Sequence, residues 1–115
     1  MSTIQIFGKA KCFDTKKAQR FFKERRIAVQ LIEVDKYGMS KGELRSVCAA
    51  VGGVDALVDP KSKEATLIRY LAYETDKEEK LLETPKALCT PIVRNGKRAT
   101  VGYCPEIWEQ WVNSL

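Results

Sequence analysis

The chain has 115 residues, 44% hydrophobic and 30% charged, a balance that suits one folded globular domain and argues against a disordered or fibrous chain. Its 20 Lys and Arg outnumber 15 Asp and Glu for a net charge of +5, but they are scattered in short groups. Without a dense basic stripe or a recognisable reading helix, direct nucleic-acid binding is not expected.

Four cysteines with no close pair, and no histidine, leave the usual zinc patterns unassembled, so no metal site is expected. The first seven residues lack the charged start and apolar stretch of a secretory signal, and no window approaches the ~20 apolar residues of a membrane span. The expectation is a cytoplasmic protein, with no membrane contact, whose cysteines are thiols.

Ile4-Gln5-Ile6-Phe7 alternates as a short strand, and Gly8 permits a turn. Over residues 15–26 the apolar Ala18, Phe21 and Phe22 fall three and four apart among Lys, Arg and Glu, which predicts an amphipathic helix. Residues 28–34 form a nearly continuous apolar run, the pattern of a strand covered on both faces. Strand, helix and strand within about 35 residues read as a parallel, right-handed βαβ unit.

Ser40 is placed to cap a helix with Leu44, Val47, Cys48 and Val51 on one face, ended by Gly52-Gly53, which makes Cys48 a core residue. Residues 55–63 read as a connection, followed by helices over 65–73 and 76–83. Two strands, Pro91-Ile92-Val93-Arg94 and Ala99-Thr100-Val101, flank an Asn95-Gly96 turn and form a hairpin. Pro105 then opens a helix in which Ile107, Trp108, Trp111 and Val112 repeat at helical spacing. The Trp pair is expected to pack on the sheet.

Cys12 therefore sits between the first strand and the first helix. There, backbone N–H groups and the positive end of the helix dipole favour thiolate, the nucleophilic form. Lys9, Lys11 and Lys16 are placed to add positive charge, with Asp14 opposing them. In Cys12-Phe13-Asp14-Thr15, Thr15 stands where a Cys-x-x-Cys protein has its second cysteine and supplies an early-helix hydroxyl. A lone thiol of this kind must be resolved by glutathione, by a thiol protein or by a distant cysteine of its own chain.

The order βαβ, helices, then ββα is a thioredoxin-like α/β arrangement: a mixed four-stranded sheet in a single domain, residues 1–115, with a helical insertion at about 39–88. The segments Ile6-Phe7-Gly8-Lys9-Ala10-Lys11-Cys12-Phe13-Asp14-Thr15-Lys16-Lys17-Ala18, Pro85-Lys86-Ala87-Leu88-Cys89-Thr90-Pro91-Ile92-Val93 and Val101-Gly102-Tyr103 resemble the arsenate reductase (ArsC) and Spx-like family, in the right order along essentially the whole chain.

The resemblance implies catalysis at Cys12 and a cis Thr90-Pro91 junction beside it, with the Thr90 backbone shaping a cleft. It also implies three oxyanion-binding arginines, and here the chain departs from the pattern: Thr90, Cys104 and Asp59-Pro60 stand at or near those positions. Lys61, Lys63, Arg94 and Arg98 are the nearby basic residues that would have to compensate. Cys104, before the last helix, is the candidate resolving thiol. Cys89 is the weaker one, because alternate residues of a strand face opposite ways.

Two functions follow as expectations. One is an arsenate-reductase-like thiol-disulfide oxidoreductase with no cofactor beyond glutathione as co-substrate. The other is a Spx-like, non-enzymatic regulator that binds RNA polymerase.

Overall fold

The structure, a computed structural model, describes residues 4–114. Its sheet has the order β2-β1-β3-β4, built from β1 (Ile4–Gly8), β2 (Val29–Glu33), β3 (Ile92–Asn95) and β4 (Arg98–Val101). β1 and β2 are parallel, with Ile4 opposite Val29, while β1–β3 and β3–β4 are antiparallel. The helix between the parallel strands is α1 (Phe13–Glu24). Between β2 and β3 lie α2 (Val34–Tyr37), α3 (Lys41–Val51), α4 (Ala65–Tyr70) and α5 (Glu74–Glu83), and α6 (Pro105–Asn113) follows β4.

Strand alternation divides the core between the two faces of the sheet. Ile4, Ile6 and Val93 pack with Ala18, Phe21 and Phe22 of α1 and Trp108 and Trp111 of α6. Phe7 and Ile92 turn to the other face, where they meet Leu44, Val47 and Cys48 of α3, Ile68 of α4 and Leu81 of α5. Trp108 is fully buried, with its ring centroid 5.4 Å from Phe21 and 5.5 Å from Phe22. Its indole N–H donates to the buried hydroxyl of Thr100 at 2.8 Å, so the polar end of the largest core side chain is satisfied.

Several sequence expectations are corrected. β2 is an edge strand with no fully buried residue, and Gln30 and Leu31 are exposed. The apolar run arises because Val34, at its end, belongs to α2 and enters the core. α1 begins two residues earlier than its apolar spacing suggests, because Cys12 is its N-cap, and it ends before Arg26, which takes a left-handed φ of 59°.

The hairpin pairs Asn95 with Arg98, so its two turn residues are Gly96 and Lys97. Gly96 alone of the two has positive φ, 61°, the pattern of a type II′ turn. The connection at 55–63 contains a 3-10 turn, Val54–Leu57, that buries Val54 and Leu57. α4 stops at Tyr70, where Leu71 turns extended, and α5 starts at Glu74. α3 matches its expected start: Ser40 and Glu43 cap it reciprocally through bonds of 3.1 and 2.9 Å.

Trp108→Phe keeps the aromatic packing but strands the Thr100 hydroxyl. It should lower the unfolding free energy by about 1–3 kcal/mol, read from the midpoint of a urea titration.

Candidate active site

The first element of the site is the β1–α1 turn. Cys12 N donates to Lys9 O at 3.0 Å, and Lys16 N donates to Cys12 O at 3.2 Å as the first turn of the helix closes. The Cys12 backbone is extended (φ −85°, ψ 119°), so the residue stands outside the helix while the helix N-terminus points at it. Thr15, in that first turn, is buried against Gly8. A Cβ at position 8 would overlap the Thr15 methyl and hydroxyl, so the strand end requires glycine by close approach. Lys9 N also donates weakly to the Thr15 hydroxyl, at 3.4 Å.

The second element arrives through β3. Because Phe7 pairs with Ile92, the residues just before β3 lie at the end of the sheet from which Cys12 emerges. Thr90–Pro91 is cis there, as the resemblance implied, and Pro91 is buried. The Thr90 carbonyl lies 3.7 Å from Cys12 Sγ. Gly102 N donates to Pro91 O at 2.8 Å, which ties the exit of β4 to the same junction. The cleft is open. The groove of about 560 Å³ between α1 and α6, which Lys17, Phe21, Tyr103 and Glu106 help to line, does not include Cys12.

Burial opposes ionisation of Cys12, yet the side chains of Thr15 and Thr90 and the backbone N–H groups of Thr15 and Asp14 outweigh it. They hold the thiol below its ordinary value. The other three cysteines move the opposite way. Burial, with Glu78 and Glu74 nearby, pushes Cys48 up to about 11. Burial and Asp59 raise Cys89 against the opposing charge of Lys9, and burial raises Cys104.

The lysines sit differently from the sequence expectation. Lys9 donates from Nζ to Lys86 O at 2.8 Å and to Leu88 O at 2.9 Å, so its ammonium fastens the turn to the segment leading into Thr90–Pro91. Lys11 is exposed, and Lys16 lies 5.7 Å from the exposed Phe13 ring. This Lys9 clamp spans 77 and 79 residues, and no local pattern announces it.

The compensating arginines are not brought to the cleft. Arg94 pairs opposite Gln5 and donates to its side chain, and Arg98 follows the turn, both toward the far end of the sheet. Asp59 N donates to Ala87 O at 2.8 Å, so a carboxylate-bearing residue stands beside the 87–89 segment. Cys104 is the N-cap of α6, with Sγ turned 3.4 Å from Val101 O and packed against the Trp108 cluster.

Four outcomes follow from this geometry. Limiting iodoacetamide near neutral pH should label Cys12 first and Cys48 last, and Thr15→Val should move the Cys12 alkylation profile to higher pH. Gly8→Ala should cost about 1–3 kcal/mol, and adding Thr15→Ala should recover much of it in a double-mutant cycle of denaturant unfolding. Because burial raises Cys48, its thiol contributes stability that is intact below the unfolded value of about 8.5 and is lost as pH rises through about 11. Cys48→Ala should flatten the alkaline fall in an unfolding-versus-pH series. Cys12 has the opposite sign: its stabilising contribution is present above the unfolded pKa and lost as pH falls through the lowered folded one.

No helix among the described residues is long and apolar enough to cross a membrane, and no group of three or more potential metal ligands is found among them. No family model matches the sequence. The chain is 32% identical over 108 residues to the global transcriptional regulator Spx 2 of Oceanobacillus iheyensis, an alignment covering 88% of this chain and 77% of that protein. Among solved structures, an arsenate reductase from Vibrio cholerae superposes with a TM-score of 0.83 at 21% identity, covering 95% of this chain and 97% of that one. An ArsC-family related protein from Bacteroides fragilis gives 0.83 at 18% identity, covering 94% and 96%. With its mixed four-stranded sheet and cis-proline junction, the chain belongs to the arsenate reductase (ArsC) and Spx-like family of thioredoxin-fold proteins.

Proposed function

We propose that the chain is a thiol-disulfide oxidoreductase that works through the single nucleophile Cys12, with glutathione or a protein thiol as its reductant. The observation that carries this reading is the partly exposed Cys12, set beside the Thr90 carbonyl and held below its ordinary pKa by neutral donors. A thiolate there attacks one sulfur of a disulfide, forms a mixed disulfide and releases the other sulfur as a thiolate. A second thiolate then attacks the mixed disulfide and returns Cys12 to its starting state. The Thr90 carbonyl stands beside the reacting sulfur.

Arsenate is not the favoured substrate in this reading. An oxyanion needs bidentate cations, whereas Thr90 flanks the sulfur, Asp59 stands by the cleft wall, Arg94 and Arg98 lie toward the far end of the sheet, and Lys9 is engaged with two carbonyls.

The second reading is a Spx-like regulator that binds RNA polymerase, in which Cys12 modulates binding rather than turnover. It is favoured by the 32% identical relative that is itself named a global transcriptional regulator.

Reduction of a mixed disulfide of glutathione, coupled to glutathione and its reductase, tests the first reading: Cys12→Ser should abolish turnover while thermal unfolding stays cooperative. Undiminished turnover in that variant sinks the assignment. Stable binding to purified RNA polymerase by a chain that shows no turnover selects the second reading. Arsenate reduction by the wild type should stay at background, and a rate matching that of a true arsenate reductase would overturn the substrate argument.

A further inference from the structure

We infer that Cys89 is the resolving thiol of this site: once Cys12 carries a mixed disulfide, Cys89 attacks the Cys12 sulfur and closes an internal Cys12–Cys89 disulfide. The inference rests on the reading of Cys12 as the attacking thiol.

The placement comes from three contacts. Cys12 Sγ lies 3.7 Å from the carbonyl of Thr90, the residue after Cys89. Lys9, from the same turn as Cys12, holds the carbonyls on either side of Ala87, those of Lys86 and Leu88, so the segment entering Cys89 is fastened to the reactive turn. Cys89 N donates to Leu57 O at 2.7 Å, which fixes its backbone from the other side. Leu88 enters the core at 2% exposure, whereas Cys89, outside any regular strand, is only partly buried. The charged groups it senses include Lys9, Cys12 and Asp14, all belonging to the β1–α1 junction.

Cys104 has none of these links. Its sulfur turns to Val101 O, it packs with Trp108, and its ionisation is influenced by its burial and by Thr100. Cys48 is buried among Leu44, Val47 and their neighbours on the α3 side of the sheet.

The electrostatics order the two steps. Burial holds Cys89 protonated, reinforced by Asp59 and by the charge on Cys12, and opposed by Lys9. Cys12 is therefore the thiol that ionises more readily and reacts first. Its thiolate attacks oxidised glutathione, forming the Cys12–glutathione disulfide and releasing one glutathione thiolate. The negative charge on Cys12 is then gone while Lys9 remains, so Cys89 becomes easier to ionise at the moment its attack is required. The Cys89 thiol loses its proton to solvent, its thiolate displaces the second glutathione thiolate from Cys12, and the internal disulfide closes. Two protein thiols are oxidised by two electrons, one glutathione disulfide is reduced to two thiols, and an external thiol later reopens the protein disulfide.

The full chain treated with oxidised glutathione, acid-quenched, alkylated and digested with trypsin without reductant tests this directly. Fragment 12–16 should be found linked to fragment 87–94, with Cys104 alkylated in the C-terminal fragment. Cys89→Ser should shift the end state to a stable Cys12–glutathione adduct, and Cys104→Ser should leave the 12–89 link intact. A wild-type chain that stops at the Cys12–glutathione adduct, or that links Cys12 to Cys104, overturns the role of Cys89 while leaving Cys12 as the nucleophile. A Cys12 that takes up no glutathione removes the underlying reading and this inference together.

Discussion

The register of β1 against β3 is the constraint on which the site depends. Phe7 opposite Ile92 brings the end of β1 to the start of β3, and that places Cys12, four residues beyond Gly8, beside Thr90. The same register sends Ile6 and Val93 to the α1–α6 face, and Phe7 and Ile92 to the other. A slip of one residue would exchange the two faces of the inserted strand, expelling Val93 from the Trp108 cluster and carrying Thr90 out of reach of the thiol. The fold and the cleft are thus specified by one set of backbone bonds, and the apolar cores on both faces hold that register in place.

Within this frame the thiolate is favoured mainly by neutral donors, two threonine side chains and two backbone N–H groups, acting against burial. Such donors carry less long-range field than an ammonium, so they favour charge on Cys12 without drawing every anion to the cleft. Thr15 joins this role to a structural one. Its methyl and hydroxyl fill the space that Gly8 leaves, so the residue that aids ionisation also sets how closely the helix packs on the strand end. Lys9, in the turn that leads to Cys12, is committed to two carbonyls.

Local signals made much of this legible from sequence. The spacing of Ala18, Phe21 and Phe22, the Ser40 cap, the Pro105 start of the last helix and the strand-to-helix position of Cys12 each rest on contacts within a few residues, and each is present. What escaped depends on partners far along the chain. An apolar run cannot report whether a strand is central or at the edge, so the run over residues 28–34 reads as covered on both faces although β2 is an edge strand. The direction of the Lys9 side chain, the departure of Arg94 and Arg98 from the cleft and the separate surroundings of Cys89 and Cys104 follow from strand order and pairing, which periodicity does not encode. The cis Thr90–Pro91 bond came from family resemblance, since the residues themselves favour trans.

The clamp also shows how a chain without a Cys-x-x-Cys pair holds the segment that carries a second cysteine against the turn that carries the first. In the paired motif, one helical turn holds both sulfurs. Here the distance along the chain between positions 12 and 89 would make an encounter entropically costly in an unfolded chain. Folding meets that cost in advance through the β1–β3 ladder, the Lys9 bonds to Lys86 and Leu88, and the bond from Cys89 N to Leu57 O. A disulfide formed between these segments would then restate a proximity the native contacts already enforce, so its closing and opening would not need to dismantle either core. Separating the two thiols by sequence also separates their environments: one is held by donors that favour its charge, the other by burial that suppresses it. Adjacent cysteines on one helical turn share a helix dipole and much of their solvent, whereas these two acquire distinct acidities, one at the N-terminus of α1 and the other beside Asp59 in the segment before β3.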